Sequence, residues 1–341
     1  MKKTVKFLSL ILCAVMLFAI TACTKENTQS DEQPTEAPTQ SAYTAADMTV
    51  ACLKGPTGVG MAQLMKLSED KQTANNYTFT VASAADEISG KIVSGEINIA
   101  SVPTNLAAKL YNKTEGRLQM LAVNTLGVLS MTENGNTVKT AADLKGKTIY
   151  STGEGSNPEY ILRYILSENG IDPDKDVTIQ FLATNDELIA ALISGKAQLA
   201  MVPEPAATTV LTKKDTLTRV LSMNDEWEKV SDSKLMMGCV VALRSYVEAN
   251  SEAVEKFLEE YKASVEYAVS DIPSAAVLCE KYGIVPAAAI AEKAIPDCNL
   301  TFVTGTEMKT SIDGYFKVLL NADKTSIGGK LPADDFYYTG K

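Results

Sequence analysis

The sequence predicts an α/β fold of two similar lobes, each a mainly parallel sheet flanked by helices, with a ligand cleft between them. Three observations predict it. From Thr49 onward, strand-like and helix-like segments alternate, the pattern of a parallel sheet with helical crossovers. Two stretches repeat one another at an offset of 100 residues. Two Gly-rich turns stand in matching places, each between a strand and the start of a helix.

The first lobe opens with the strand Thr49 to Leu53, the turn Lys54-Gly55-Pro56-Thr57-Gly58-Val59-Gly60 and an amphipathic run from Met61 to Leu67. The first copy of the repeat starts at Asp86-Glu87-Ile88. Its helix ends at Ser94-Gly95, where Gly can take the left-handed cap. A short strand leads to Val102-Pro103, and a helix starts at Thr104-Asn105 with Pro near its first turn. The apolar stretch Leu118 to Met131 crosses to the second lobe.

That lobe repeats the plan. Lys147 to Tyr150 is a strand, Ser151-Thr152-Gly153-Glu154-Gly155-Ser156-Asn157-Pro158 the Gly-rich turn, and Glu159 to Leu166 a helical run. The second copy runs from Asp186-Glu187-Leu188 through Ser194-Gly195 to Val202-Pro203-Glu204-Pro205-Ala206-Ala207. Asp, Glu, Ser, Gly, Ala, Val, Pro and Ala match the first copy at eight positions. The stretch Leu235 to Leu243 crosses back. Lobe one is therefore expected over 47–128 and 238–341, and lobe two over 130–236.

Composition narrows the function. The 341 residues suffice for about two domains. With 32 Lys+Arg against 42 Asp+Glu, the chain is a poor partner for nucleic acid. There is no His, which removes Ser-His-Asp and Cys-His nucleophiles and His-ligated zinc. No nucleophile–base pair, metal cluster or cofactor motif stands out, so neither catalysis nor a cofactor is expected.

The N-terminus reads as an address. Basic residues at Lys2, Lys3 and Lys6 precede an apolar run of 14 residues, Phe7 to Ile20, too short to span a bilayer. Ile20-Thr21-Ala22-Cys23 resembles a bacterial lipobox. Residues 1–22 are thus expected to be a signal peptide and Cys23 the lipidated N-terminus. Residues 23–46, rich in Thr, Gln, Glu and Pro, are expected to be a disordered tether. Without Lys2, Lys3 and Lys6 the chain carries 29 basic and 42 acidic side chains. Cys52 and Cys239 read as buried thiols, and pairing of Cys279 with Cys298 is left open.

Ligands of open α/β sheets bind outside the carboxyl ends of the strands, so two facing lobes would line a cleft with four turns. The Gly-rich turns present N–H groups at helix starts, suited to an anionic or electron-rich group. Neither turn is a GxxxxGK[ST] loop, so nucleotide is not expected.

KGPTGVG, SGEINIASVPTNLAAKLY, TAADLKGKTIYSTGEGSNPE and SGKAQLAMVPEPA resemble the solute-binding lipoproteins of ABC importers, over residues 48–320. The nearest branch takes sulfonates, taurine, nitrate and pyrimidine precursors. The resemblance implies a type II periplasmic-binding-protein fold, a monomer held at the extracytoplasmic face of the membrane by its lipid alone, and delivery of a small solute to a permease and its ATPase. A sensor or surface-binding protein on the same fold is the alternative. The pyrimidine-precursor synthases of this fold use a His of their own, which this chain lacks.

The expected cleft residues are Gly55, Pro56, Thr57 and Gly58; Pro103, Thr104 and Asn105; Thr152, Glu154, Gly155, Ser156 and Asn157; and Glu204. None of the four Arg residues lies in these segments, so an anion would rest on N–H groups at Gly58–Gly60 and Ser156–Asn157, with the hydroxyls of Thr57, Thr104 and Ser156. Glu204 stands where the first copy has Thr104. If the cleft closed over it, it would need a donor from the ligand, which suggests a zwitterion such as a taurine-like compound or a small amino-heterocycle.

Overall fold

The computed structural model describes residues 43–340. The expected signal segment, Cys23 and the expected tether up to residue 42 lie outside the described residues. Among the described residues, eleven strands form two sheets. The first sheet takes β1 (Asp47–Leu53), β2 (Asn76–Ala82), β3 (Ile99–Pro103) and β4 (Leu118–Thr125). The second takes β5 (Leu129–Asn134), β6 (Thr148–Ser151), β7 (Thr178–Phe181), β8 (Leu199–Pro203) and β9 (Leu217–Ser222). The chain then returns to the first sheet with β10 (Gly238–Leu243) and β11 (Leu300–Val303).

The strand orders are β11-β4-β10-β3-β1-β2 and β7-β6-β8-β5-β9. β1 pairs in parallel with β2 and β3, and β6 with β7 and β8. The strand that enters after each crossing is reversed. β10 lies antiparallel between β3 and β4, and β5 lies antiparallel between β8 and β9. A chain arriving from the other sheet comes in from the opposite end, which fixes that direction.

The repeat is built as its residues dictate. Helices Asp86–Ser94 and Asn185–Ser194 each end at a left-handed glycine, Gly95 at φ 81° and Gly195 at φ 78°. The matched glutamates do the same work at the other end. Glu87 accepts the N–H of Ala84, and Glu187 that of Ala183, each at 3.0 Å, so each covers a backbone donor beside its helix start. β3 and β8 follow with the same pattern of four buried residues and a half-buried Pro. Their near-continuous burial is what a strand covered on both faces requires. Helices Thr104–Lys113 and Ala206–Lys213 complete the copies.

The two crossings lie side by side. Leu126-Gly127-Val128 joins β4 to β5, and the Gly127 carbonyl accepts the side-chain amides of Asn224 at 3.1 Å and Asn299 at 2.5 Å. A Cβ at Gly127 would stand 1.8 Å from the Asn224 oxygen and 2.8 Å from a Leu235 methyl, so any side chain there would displace both. On the return path, Met237 donates its N–H to the Thr125 carbonyl at 3.0 Å.

Cys52, Cys239, Cys279 and Cys298 are all free and buried, which answers the open question about Cys279 and Cys298. Trp227 is wholly buried and touches the rings of Tyr164 at 4.9 Å and Tyr315 at 5.6 Å. No helix among the described residues is long and apolar enough to cross a membrane.

Candidate functional site

The four expected cleft turns meet in pairs. Gly55, at φ 89°, follows β1 and is fixed by its N–H bond to the Ile284 carbonyl at 3.0 Å. A Cβ there would lie 3.4 Å from the Pro205 ring and 3.7 Å from the Glu204 carbonyl, so the first and fourth turns touch. The second and third meet through Thr104 and Asn157. The Asn157 amide donates to the Thr104 hydroxyl at 3.3 Å and to the Met237 carbonyl at 3.1 Å. Thr104 in turn donates its hydroxyl to Met236 O at 2.5 Å and its N–H to Met237 O at 3.1 Å. The returning crossing thus holds both helix starts against one another.

Bonding to a carbonyl fixes which way the Asn157 amide faces, because Met237 O can only accept. Its Oδ1, like that of Asn105, is buried without a hydrogen-bond partner among the described residues. A buried acceptor left unpaired costs about 1–3 kcal/mol. The first N–H groups of a helix also lack partners within it, and both helices, Thr104–Lys113 and Asn157–Glu168, begin here. The junction therefore offers donors from two helix starts and acceptors from two asparagines.

Other expected residues are engaged elsewhere. The N–H groups of Gly58 and Val59 both bond to the Gly55 carbonyl, and those of Gly60 and Met61 to Gly58 O, so this turn has no N–H cradle to offer an anion. Pro56–Val59 is one helical turn, and a Cβ at Gly58 would lie 2.5 Å from Leu53 O. Thr57 leans back to the Leu53 carbonyl at 3.5 Å. Ser156 bonds to Gly153 O at 2.8 Å, and Thr152 to the side chain of Asn185 at 2.8 Å. The Gly155 N–H goes to Glu159 at 2.7 Å. Pro103 is half-buried before the Thr104 helix, and Glu154 is exposed.

Glu204 departs most from expectation. It is buried, not in a solvated turn, and its partners come from the protein. One oxygen accepts the Thr208 N–H at 3.2 Å, and the other is bound by Arg219. Arg219 also donates to Asp297 at 2.6 Å. Burial pushes the Glu204 carboxyl above its ordinary value, against the opposing pull of Thr208 and Arg219. Glu204 therefore needs no ligand donor.

Arg219 escapes a search confined to the turns because it lies on β9, where β5 separates it from β8. A signal exists: Arg219 stands midway between buried Leu217 and Leu221 at the period-2 spacing of a strand, an unusual place for a cation. Lys109 is the other cation missed. It donates to Gly155 O at 3.0 Å, and burial lowers its pKa against the opposing field of Asp323.

The family model described as ABC transporter, phosphonate, periplasmic substrate-binding protein matches residues 69–289. The chain belongs to this family. It is the periplasmic substrate-binding component of an ABC transporter, a transport protein and not an enzyme, and its partners are a small-molecule ligand and the membrane permease and ATPase. Among curated proteins none matches the chain.

Solved structures agree in fold. An ABC transporter protein from Parabacteroides distasonis superposes with a TM-score of 0.72 at 23% identity, over 86% of this chain and 99% of that one. The periplasmic aliphatic sulphonate binding protein SsuA from Escherichia coli gives 0.66 at 16%, over 86% and 94%. The periplasmic nitrate-binding protein NrtA from Synechocystis PCC 6803 gives 0.54 at 12%, over 75% and 69%. The fold is that of the periplasmic binding proteins.

Proposed function

We propose that this substrate-binding protein is a lipoprotein, anchored through Cys23. Its two lobes, 47–128 with 238–341 and 130–236, close as rigid bodies on a small oxyanion bearing a hydrogen-bond donor, and the closed form delivers it to the permease. The observation that carries the ligand class is the Thr104–Asn157 junction. Two helix starts favour negative charge, while two buried asparagine oxygens await donors. A singly protonated phosphonate supplies both from one group. A taurine-like aminosulfonate supplies the donor from its far end. Nitrate or a simple alkanesulfonate only accepts, and would leave the asparagine oxygens unpaired. A pyrimidine precursor would lack a ring partner in the four turns, which contain no Trp, Phe or Tyr.

Thermal-shift and calorimetric titration with methylphosphonate, 2-aminoethylphosphonate, taurine, methanesulfonate and nitrate tests the ligand class, since a ligand raises apparent stability by mass action. One of the donor-bearing compounds should bind, and Asn157→Asp should abolish that binding. Tighter binding of methanesulfonate or nitrate than of all three donor-bearing compounds would defeat the reading. For the anchor, Cys23→Ser should release the protein from the detergent phase.

A further inference from the structure

The contact between Arg219 and Asp297 joins parts of the chain that belong to different sheets. Arg219 lies on β9 of the second sheet, whereas Asp297 sits in the short turn Ile295–Cys298 that leads into β11 of the first. The guanidinium divides its two terminal nitrogens between carboxylates of opposite allegiance. Nη2 holds Glu204, which follows β8 within the same sheet, and Nη1 holds Asp297 at 2.6 Å.

These partners are not equivalent. The Glu204 side chain is 3% exposed, and both of its partners, the Thr208 N–H and the Arg219 guanidinium, come from its own half of the chain. Asp297 is 46% exposed and is well solvated without Arg219. If the lobes part, the Glu204 bond stays intact and only the Asp297 bond breaks. An isolated exposed ion pair gains little because two flexible side chains must be ordered. Here Glu204 has already ordered the arginine, so the second bond bears only the cost of fixing Asp297. This pair can therefore favour closure without touching the ligand.

We infer that Arg219 is a cross-cleft latch, held ready by Glu204 and engaged by Asp297 only in the closed form, so that this pair shifts the open-to-closed ratio toward closure. The inference rests on the two-lobe reading under Proposed function. Asp297 is then a positioning residue for ligand capture.

Trp227 provides a native reporter. It is the single Trp of the chain, wholly buried, and it packs between Tyr164, on the helix following β6, and Tyr315, on the helix following β11. Opening would expose it. Acrylamide quenching of Trp227 and the solution-scattering radius of gyration are measured on the mature protein without ligand, at low and high salt. In the wild type both should rise with salt, as screening weakens the half-exposed pair. Asp297→Asn should raise both at low salt, remove most of the salt dependence and shift the open-to-closed ratio about two- to fivefold. Asp297→Glu should restore the wild-type behaviour.

A wedge separates failure of the latch from failure of the two-lobe reading. A Cβ on Gly314, in the helix after β11, would lie 2.9 Å from the Cβ of Ser233 in the segment before β10. Gly314→Leu should therefore enlarge the radius of gyration if the halves can part. If the wedge enlarges it while Asp297→Asn leaves both readouts at wild-type values, the latch is overturned and the two lobes stand. If no salt, wedge or Asp297 variant moves either readout, both ideas are overturned.

Discussion

Asn157 gives a side-chain hydrogen bond to Thr104, 53 positions earlier in the chain, at 3.3 Å. Each residue begins a helix, one beside each sheet, and both also bond to the crossing at Met236 and Met237. Thr104→Val keeps the shape but removes the hydroxyl that donates to Met236 O and accepts from Asn157. Two buried groups would lose a partner, for an expected loss of about 1–3 kcal/mol. Urea denaturation should show it as a lower midpoint with an unchanged slope, and Thr104→Ser should recover most of it.

Arg219→Met leaves Glu204 buried without a cation. For a carboxyl whose folded pKa lies above its unfolded value, the folded state binds the proton more tightly. The destabilisation is thus fully present above the folded pKa and fades as pH falls through it toward the unfolded value. Melting temperatures should therefore differ more between wild type and Arg219→Met at pH 7.5 than at pH 4.5. An equal gap at both values would mean that Glu204 does not feel the loss.

Glu133 behaves in the opposite sense. Burial alone would raise its carboxyl, but the Thr137 hydroxyl and the N–H groups of Val138 and Thr137 outweigh burial and hold it below the ordinary range. Its stabilisation is full above the unfolded pKa and is lost as pH falls through the folded one. Acid unfolding should set in as pH drops below about 4, near the unfolded carboxylate range. Glu133→Gln should be less stable than wild type at neutral pH and should lose less stability on acidification.

The thiols should be inert in the folded protein. Burial pushes Cys52 and Cys279 up to about 12 and raises Cys239 and Cys298 as well. Thiolate is the reactive form, so iodoacetamide at pH 8 should leave all four unmodified. All four should react once denaturant exposes them. Rapid labelling under native conditions would show that the core opens locally.

The parts of the fold that could be read from sequence are those whose causes are local. Gly95 and Gly195 announced helix ends because only a left-handed residue suits that place. The offset of 100 holds through β3 and β8, where the same burial pattern recurs and Ala, Val and Pro match. The turns around Thr104 and Asn157 were visible for the same reason. Arg219 was not, because its pairing with Glu204 depends on β5 entering between β8 and β9, a non-local event. Nor could spacing reveal that the N–H groups of Gly58 and Val59 fold back on the Gly55 carbonyl.

The reversed strand at the centre of the first sheet, β10, also constrains the order of assembly. β3 and β4 are not neighbours until β10 fills the gap between them, yet β10 begins only at Gly238, after the entire second sheet. The second sheet is contiguous from Leu129 to Ser222 and contains every strand it needs. As the chain emerges from its N-terminus, the middle of the sequence can therefore complete its sheet first, while the opening strands wait for a distant segment. Contacts over such long sequence separations are slow to form. The first sheet should accordingly be the last to become resistant to proteolysis, although four of its six strands are the first to be made.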